Sequence, residues 1–481
     1  MRSVTLERTT LLITIALLFA IAIRVPVDSD TWWHLRSGEY TLTKGMIYTD
    51  PFSHTFAGQP WINHSWGAQV VLLAVWNIAG NIGLSLYTAI LAVGGMVMLL
   101  PVMRGSAILK AFLLVLGASA AAVFWSARPQ MISFFLSAVF LAELYRYRTA
   151  PSRRIWVLVP LMALWANLHA GYSIGFIFLS AFIVGQLLNR LSVLSAELDA
   201  RQILMLIGVA VGCVVALVVT PYGLNTLLVP FQTVSIGALR DYIQEWNSPN
   251  FQGRETWPFI GMILVSVGSA WASRLRWDWT GFLLFGGTLF MALLYGRNIA
   301  VFGVAVLPQL SFWFHNVMES RGWLVRRPVP NRRAARINAI LVGTVFLCVA
   351  IYAFGAVWSP NVIEKAQRDF LPVGVAEYLN SERPNGNLFN SYNWGGYLMF
   401  AAPEYPVFID GRTDLYGEFL RTYLDTTNAV GNWREVLDQY GVNTVAVEIG
   451  TGLDTALAVE PDWTEVYSDE KAIIYTRESS S

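Results

Sequence analysis

The sequence predicts a multi-pass α-helical membrane protein with a small α/β domain at its C-terminus. Of its 481 residues, 55% are hydrophobic and 14% are charged, whereas soluble domains have about 45–50% apolar and about 25% charged residues. Long apolar stretches recur as far as residue 357, and the remaining chain is polar and acidic. This composition excludes an ordinary soluble enzyme and a disordered chain.

Eleven apolar stretches are candidates for transmembrane helices. A span takes roughly 20 apolar residues, and fewer when Arg and Lys extend from its ends to the surface. The stretches are residues 9–25, 82–103, 107–125, 130–147, 155–169, 171–189, 202–220, 257–273, 278–294, 298–315 and 337–357. We expect the shorter stretch 66–80 to lie along the membrane interface. A cleaved signal peptide is an alternative for the first stretch, because two arginines precede it and Ala20-Ile21-Ala22 lies within it.

The positive charges predict the orientation. With the N-terminus inside, 18 Lys and Arg residues lie in cytoplasmic stretches, against seven in the outer loops before residue 358. The positive-inside rule therefore predicts a cytoplasmic N-terminus, and an odd number of spans places the C-terminal region outside. We expect a protein of the cytoplasmic (inner) membrane. The arginine-rich segment 321–336 fits a topology signal better than a nucleic-acid site, so no nucleic-acid partner is expected.

The net charge of +1 is the sum of a basic N-terminal part and an acidic C-terminal part. Residues 1–357 carry 25 basic and 13 acidic residues, and residues 358–481 carry 8 and 19. In the second part, short apolar runs typical of strands alternate with helical patterns. The predicted strands are 387–392, 405–412, 443–449 and 471–477, and the predicted helices are 373–381, 419–429 and 432–440. We therefore predict a transmembrane domain over 1–357 and an extracytoplasmic α/β domain over 358–481.

Unusual polar residues gather at the predicted outer ends of the spans. Ionisable groups at membrane depth are costly and usually face a cavity or a partner, which makes this collection a candidate functional site. Three of the five histidines lie in the first outer loop, residues 26–66. The set comprises Asp28, Asp30, His34, Asp50, His54, Asn63, His64, Arg128, Asn167, His169, Tyr222, Glu245, Trp246, Arg297 and Asn298.

Most members of this set also have a structural interpretation. Trp32, Trp33, Trp61 and Trp66 fit an interfacial aromatic belt. Arg128 and Arg297 could anchor to lipid phosphate or pair with an acid, Asp50 and His54 lie in a turn-like segment, and His169 could satisfy buried carbonyl groups. Asp28 and Asp30 differ, because two carboxylates so close together repel one another and contribute nothing obvious to membrane insertion. We therefore interpret this pair as functional.

A carboxylate pair beside arginines suits a phosphate-linked lipid substrate. A carboxylate can deprotonate an acceptor hydroxyl, or bind a divalent cation such as Mg²⁺ or Mn²⁺ that neutralises a phosphate leaving group. Arginine forms paired hydrogen bonds with phosphate oxygens. Whether a cation takes part stays open at this stage.

The order of these features resembles the GT-C superfamily of integral-membrane glycosyltransferases. That superfamily includes protein mannosyltransferases, aminoarabinose transferases of lipid A and Rgt-type bacterial sugar transferases. The resemblance rests on a first span followed at once by Asp28-x-Asp30, ten or more spans and an outer C-terminal domain. The DSD spacing departs from the adjacent acidic residues common in protein mannosyltransferases, and NWGGY is only superficially similar to the WWDYG signature of oligosaccharyltransferases.

A second resemblance covers nearly the whole chain. The sequence is similar to a group of bacterial multi-pass membrane proteins that carry the strings WWHLRSGEY, DPFSHTFAGQPW, NHSWGAQ, ARPQ, NLHAGY and NWGGYLMFAAPEYPVFIDGRTDLYG.

The GT-C resemblance implies a reaction and a set of roles. The reaction is transfer of a sugar from a polyprenyl-phosphate donor to a glycan, lipid or protein acceptor at the outer membrane face. Asp28 or Asp30 would be the general base or a metal neighbour, and Arg128 or Arg297 would hold the donor phosphate. Together with the other polar residues at the predicted outer face, this gives two sets of predicted site residues. The predicted catalytic residues are Asp28, Asp30 and His34. The predicted substrate-binding residues are His64, Arg128, His169, Glu245, Arg297, Asp410 and Arg412.

The C-terminal domain carries a cluster of its own. Asp410, Arg412, Asp414 and Tyr416 follow a predicted strand, a usual position for a binding loop, and suggest acceptor recognition. Asp-Gly is equally a turn signal. The NWGG segment 393–396 could stack on carbohydrate, although the start of a helix fits it better.

Three other functions compete with transfer of a sugar. A transporter or flippase would show polar residues at mid-membrane and broken helices, which the sequence does not clearly contain. A metal-dependent hydrolase built from His34, His64, His169 and Asp30 lacks a close ligand spacing such as H-E-x-x-H. A non-catalytic assembly or sensor protein is the third. The transferase hypothesis predicts that Asp30, Arg128, His169 and Arg297 converge on one outer cavity open to lipid.

Overall fold

The computed structural model describes residues 5–192, 197–235, 237, 244–273, 275, 278–323 and 332–477. The chain divides into two compact units. The helical unit comprises the described parts of residues 1–24, 85–227 and 244–359, and the mixed unit comprises those of residues 25–84, 228–243 and 360–481. The break near residue 359 lies next to the predicted domain boundary. The first outer loop belongs to the same compact unit as the C-terminal segment.

Each of the eleven predicted apolar stretches is helical over most of its length. The helices up to residue 352 are α1 Leu6–Ala22, α2 Ser29–Lys44, α3 Trp66–Met98, α4 Ala107–Ala121, α5 Gln130–Thr149, α6 Leu158–Leu168, α7 Ser173–Leu191, α8 Ala200–Ala216, α9 Val229–Ser235, α10 Trp257–Ser273, α11 Trp279–Leu294, α12 Ile299–Ser320 and α13 Arg332–Tyr352. Gly80 interrupts α3 with a φ of 53°, a backbone conformation that glycine adopts without strain. This interruption separates the predicted interfacial stretch 66–80 from the span that follows it.

Six helices among the described residues are long and apolar enough to cross a membrane. They are Trp66–Met98, Ala107–Phe124, Ala170–Leu191, Arg254–Ser273, Gly296–Ser320 and Arg332–Val357, and Ala200–Ala216 and Trp279–Leu294 are shorter apolar helices. The prediction of a multi-pass helical membrane protein is therefore confirmed in this coarse form. The number of eleven spans and the orientation stay predictions. Residues 324–331, half of the arginine-rich segment 321–336, lie outside the described residues.

Helix α12 forms the centre of the helical unit. It packs against α4, α10 and α11, and Val304–Leu310 is buried throughout. A Cβ atom on Gly117 of α4 would lie 3.0 Å from Leu307, so the missing side chain lets the two helices approach closely. By contrast, α13 packs on α1 and has no buried side chain.

The C-terminal segment forms an α/β structure, as predicted. Its strands are β1 Asn387–Asn390, β2 Val442–Glu448, β3 Thr464–Ser468 and β4 Ala472–Thr476, in the sheet order β1-β2-β4-β3. The first pair is parallel and the other two are antiparallel. Its helices are α14 Pro360–Phe370, α15 Val373–Glu382, α16 Tyr392–Ala401, α17 Thr413–Tyr416, α18 Phe419–Thr427, α19 Trp433–Gln439 and α20 Gly452–Leu457.

Two strand predictions differ from the structure. Residues 405–412 form no strand, and their only bridge joins Val407 to Ser53. The Asn390 side chain takes the place of a strand partner, because its amide donates to the carbonyl of Ile409 and its carbonyl accepts from the amide of Phe408. The other difference is β3, an exposed edge strand that the sequence analysis missed.

Candidate functional site

Two arginines and one glutamate form a charged cluster in the helical unit, which we call the arginine cluster (Arg128, Glu245 and Arg297). The Arg128 guanidinium donates to Glu245 Oε1 at 2.7 Å. The Arg297 guanidinium lies 4.7 Å from the centre of the Trp246 ring. The side chain of Arg128 is 12% exposed, whereas that of Glu245 is 35% exposed. The cluster is therefore partly shielded from solvent while its carboxylate remains accessible.

Three short segments at helix ends position the arginine cluster. Arg128 precedes α5, and its Nε donates to Ser126 Oγ at 3.0 Å. Arg297 belongs to a 3₁₀ turn between α11 and α12. The turn of Arg297 is tied to the Glu245 segment, because the Gly296 amide donates to the carbonyl of Asn247 at 2.9 Å. Backbone hydrogen bonds thus fix the relative positions of two of the three charged residues.

The two arginines determine the charge of Glu245. Burial by itself raises the pKa of the carboxyl, but the positive charges of Arg128 and Arg297 outweigh it, so the pKa lies below the ordinary value. The carboxylate is therefore ionised at neutral pH, and guanidinium groups stay charged at any physiological pH. The guanidinium groups of Arg128 and Arg297 are of the kind that binds an anion such as a phosphate.

His169 lies in the same unit, in a hydrogen-bonded group of its own. Its Nδ1 is 2.7 Å from Ser133 Oγ and accepts from the Gly171 amide at 3.1 Å. Trp165 Nε1 donates to the same serine oxygen at 2.7 Å. Because a backbone amide can only donate, Nδ1 is the acceptor and the proton of the neutral ring lies on Nε2. A Cβ atom on Gly171 would lie 2.3 Å from Ser133 Oγ, which explains the glycine in NLHAGY.

The carboxylate pair lies in the mixed unit, where the two acids have different roles. Asp28 is the N-cap of α2, and its Oδ1 accepts from the amide of Asp30 at 3.0 Å. Asp30 lies in the first turn of α2 and accepts from Trp33 Nε1 at 3.0 Å. A carboxylate at this position stabilises a helix start. Asp28 thus has a structural role that the sequence analysis did not recognise.

Glycines of the C-terminal segment lie directly against this helix start. A Cβ atom on Gly396 of α16 would lie 2.5 Å from the carbonyl oxygen of Ser29, and one on Gly411 would lie 2.0 Å from Asp30 Oδ1. Only glycine allows such close approaches without a shift of the neighbouring atoms. The strings DSDTWW, NWGGY and FIDGR therefore form one packed assembly. The glycines were the signal for it, but the sequence analysis assigned NWGG to the start of a helix or a carbohydrate loop.

His34 and His64 belong to hydrogen-bonded groups of the mixed unit. His34 is 6% exposed, and its Nδ1 lies 3.3 Å from Gln69 Nε2. Gln69 forms two further hydrogen bonds with Asn63, at 2.7 and 2.8 Å. His64 Nδ1 lies 2.9 Å from Ser65 Oγ. His34 is thus buried beside Gln69, and its catalytic role stays a prediction.

Asp410 and Arg412 form a buried ionic network with Asp50. Arg412 donates from Nε and Nη2 to Asp410 at 2.8 and 2.7 Å, and from Nη1 to Asp50 at 2.6 Å. All three side chains are 0% exposed. The neighbouring Tyr416 hydroxyl donates to Asp410 at 2.7 Å. These contacts join the first outer loop to the C-terminal segment, and the burial leaves neither Asp410 nor Arg412 open to an acceptor in this structure.

Among the described residues, the acidic side chains and histidines form no recognisable metal centre. No group of three or more His, Cys, Asp and Glu side chains within the described ranges could hold a metal ion. Of the candidates for a cation, Asp28 and Asp30 are engaged in the helix cap and in the bond to Trp33.

The structure brings some of the predicted site residues together. Arg128, Glu245 and Arg297 converge in the helical unit, where His169 also lies. Asp28, Asp30 and His34 share the start of α2 in the mixed unit. Ser133 forms hydrogen bonds with both His169 and Trp165. The sequence analysis did not single it out, because serine within an apolar helix is common.

Comparison with known proteins identifies the fold. No protein-family model matches the sequence, and no curated protein matches it significantly. Among solved structures, the chain is similar to ArnT from Cupriavidus metallidurans bound to undecaprenyl phosphate, with a TM-score of 0.57, 14% identity and 98% of each chain covered. For the same protein in the apo state, the TM-score is 0.54 at 16% identity, again with 98% of each chain covered.

A third similar structure is the mycobacterial arabinofuranosyltransferase AftD, with a TM-score of 0.48 and 12% identity, over 97% of this chain and 41% of AftD. ArnT is an aminoarabinose transferase of the GT-C superfamily. The predicted resemblance to GT-C glycosyltransferases is therefore confirmed at the level of the fold.

Proposed function

We propose that the protein is a membrane glycosyltransferase that uses a polyprenyl-phosphate-linked sugar as donor, and that the arginine cluster binds the donor phosphate. The observation that carries this proposal is the hydrogen bond from Arg128 to Glu245 at the ends of apolar helices, with Arg297 near enough for its charge to act on the same carboxylate. The similarity to an ArnT structure bound to undecaprenyl phosphate supports the same class of ligand.

The chemistry assigned to the arginine cluster is stabilisation of a leaving phosphate. In the transfer, the acceptor oxygen bonds to the anomeric carbon of the sugar and the bond from that carbon to the phosphate oxygen breaks. The phosphate oxygen keeps the electron pair, so the phosphate gains negative charge as the bond breaks. Guanidinium groups already in place favour that charge at little cost of reorganisation. Positive groups beside the phosphate therefore lower the barrier.

Asp30 is the proposed general base, which takes the proton of the acceptor hydroxyl. Asp28 is the weaker candidate because its carboxylate caps α2. With the orientation predicted from the charges, the reaction takes place at the outer face of the cytoplasmic membrane. The acceptor is a hydroxyl-bearing glycan, lipid or protein.

The phosphate-binding proposal is tested by titrating the purified full-length protein with undecaprenyl phosphate. Loss of a hydrogen bond to a charged group costs about 1.5–3 kcal/mol. We therefore expect Arg128→Gln and Arg297→Gln each to weaken binding at least roughly tenfold. Arg154→Gln is the matched control, because Arg154 shares Glu143 with Arg146 and is 67% exposed. Equal affinity in all four proteins would exclude the arginine cluster as the phosphate site.

The general base is tested in proteoliposomes with a panel of undecaprenyl-phosphate-linked hexoses and pentoses. The assay measures release of undecaprenyl phosphate. Asp30→Asn keeps the side-chain size and should lower kcat by roughly 10²–10⁴-fold without weakening donor binding. Asp28→Asn retains an N-cap residue of similar quality and should leave the rate nearly unchanged. Full turnover by Asp30→Asn would rule out its role as the base.

A further inference from the structure

Arg24 is a charged residue that the arginine cluster does not include. It follows α1 in the helical unit and is half-buried. Its Nη1 donates to the carbonyl of Trp125 at 2.6 Å, and its Nη2 lies 3.5 Å from the carbonyl of Ile21. These contacts use two of the five N–H donors of the guanidinium. The buried Nε has no hydrogen-bond partner among the described residues.

Among the described residues, Arg24 also differs from other poorly exposed arginines in that no carboxylate pairs with it. Arg128 pairs with Glu245, Arg148 with Asp278 and Glu197, and Arg412 with Asp50 and Asp410. Within the described ranges, the Arg24 guanidinium donates its hydrogen bonds to carbonyl oxygens, the Arg24 amide bonds to Ser85, and the Tyr352 phenol lies near enough to interact with the charge. A buried charge without a counter-ion is costly. An anion from outside the described part of the chain would offset this cost at Arg24.

The surroundings of Arg24 are those of a membrane interface. Trp358 donates to Ser85 Oγ at 2.9 Å, and Ser85 also accepts from the Arg24 amide at 3.2 Å. The Trp358 ring packs edge-on against Phe19 and Phe354. Tryptophan is enriched at the level of lipid headgroups, because one end of its ring is apolar and the other can hydrogen-bond. Arg24 thus lies where lipid phosphates occur.

An apolar surface continues from this position along α1 and α13. Leu17 is 44% exposed, Ile351 is 63% exposed and Phe354 is 66% exposed. Helix α13 has no buried side chain at all. In a membrane, such a surface is covered by hydrocarbon chains. A lipid lying there would bring its phosphate to the ends of both helices, where Arg24 is found.

We propose that Arg24 binds the phosphate of a membrane lipid whose hydrocarbon chain lies along α1 and α13. The phosphate supplies a negative charge next to the guanidinium. It also accepts hydrogen bonds from the guanidinium N–H groups that do not bond to the two carbonyl oxygens. Two lipids share this chemistry, a phospholipid with a phosphodiester headgroup and a polyprenyl phosphate. The site is separate from the arginine cluster and does not depend on the proposed transferase activity.

The site is tested by native mass spectrometry of delipidated full-length protein titrated with phosphatidylglycerol, undecaprenyl phosphate or uncharged diacylglycerol. Arg24→Gln retains a donor for the Trp125 carbonyl but removes the charge, and Arg24→Lys retains the charge. We expect Arg24→Gln to weaken binding of one phosphate lipid at least tenfold, Arg24→Lys to keep most of it, and Arg154→Gln to match the wild type. Diacylglycerol should bind equally to all four.

The outcome identifies the source of the phosphate. A loss restricted to phosphatidylglycerol assigns the site to a phospholipid, and a loss restricted to undecaprenyl phosphate assigns it to the prenyl lipid. Unchanged binding of both overturns the proposal. If Arg128→Gln weakens binding of undecaprenyl phosphate while Arg24→Gln affects neither lipid, this inference fails and the proposed transferase function stands.

A measurement on the wild type does not depend on the folding of the variants. Lipids with a photoreactive diazirine next to the headgroup are incorporated into vesicles with the full-length protein and irradiated. Crosslinks to residues 17–24 or 351–358 support the site, and crosslinks confined to other segments overturn it.

Discussion

Removal of the Arg412 charge should strongly destabilise the mixed unit. Arg412 bonds to Asp410 at 2.7 and 2.8 Å and to Asp50 at 2.6 Å, with all three side chains fully buried. Arg412→Met leaves two carboxylates without their cation. Breaking a buried pair in this way costs about 3–5 kcal/mol. At about 2–4 °C per kcal/mol for a unit of roughly this size, the Tm should fall by about 6–20 °C.

The assay is thermal unfolding of the full-length protein in detergent, followed by tryptophan fluorescence at one scan rate. Arg368→Met is the matched control, because Arg368 also contacts two carboxylates, those of Glu364 and Glu377, but is exposed. Exposed pairs contribute about 0–1 kcal/mol. A decrease in Tm no larger for Arg412→Met than for Arg368→Met would refute this reasoning.

A combined variant distinguishes the effect of the lost Arg412 charge from the effect of the altered packing. When Arg412→Met is joined to Asp50→Asn and Asp410→Asn, the uncompensated charges disappear while the altered packing remains. If unpaired charge causes the loss, the triple variant should unfold at a higher temperature than Arg412→Met alone. An equal or lower Tm would assign the loss to packing and to hydrogen bonds instead.

Three further predictions concern glycines and a histidine. Gly411→Ala places a Cβ atom 2.0 Å from Asp30 Oδ1, so it should lower both the Tm and the turnover, whereas Gly343→Ala, on an open face of α13, should leave both nearly unchanged. Gly171→Ala places a Cβ atom 2.3 Å from Ser133 Oγ and should lower the Tm, and a Tm equal to that of the wild type would contradict this close approach. Burial lowers the pKa of His54 below its ordinary value, although a hydrogen bond to the Leu388 carbonyl opposes the shift. The unfolded chain therefore takes up a proton near pH 6.5 before the folded one does, so stability should fall as the pH drops below about 6.5, and His54→Gln should flatten the plot of Tm against pH between 8 and 5.5.

The sequence predicted the helices well because their cause is local. A long apolar stretch between charged ends specifies a membrane helix by its own hydrophobicity, and each predicted stretch is helical. Strands β1, β2 and β4 follow likewise from short apolar runs. The segment 405–412 has the same pattern but forms no strand, because the Asn390 side chain takes up its backbone groups. The pattern of residues 405–412 does not indicate that the Asn390 side chain bonds to their backbone.

In the candidate site, too, the sequence indicated the residues but not their contacts. Sequence position alone drew attention to Arg128, Glu245 and Arg297, since ionisable groups are few at the predicted outer ends of the apolar stretches. Their shared carboxylate became visible only in three dimensions, because Glu245 is 117 residues from Arg128 in the chain. Asp410 and Arg412 were equally conspicuous, yet the structure buries them against Asp50.

By itself, the sequence determined the class of protein, the helices and the types of residue available for chemistry, because hydrophobicity and charge are properties of each segment. Only the tertiary structure decided which charges are paired and buried and which are partly exposed. Burial and pairing depend on segments hundreds of residues apart, such as Asp50 and Arg412. Arg24 has no carboxylate partner among the described residues, whereas Arg128 and Arg412 pair with carboxylates. The sequence alone does not show this difference, because it depends on the tertiary structure.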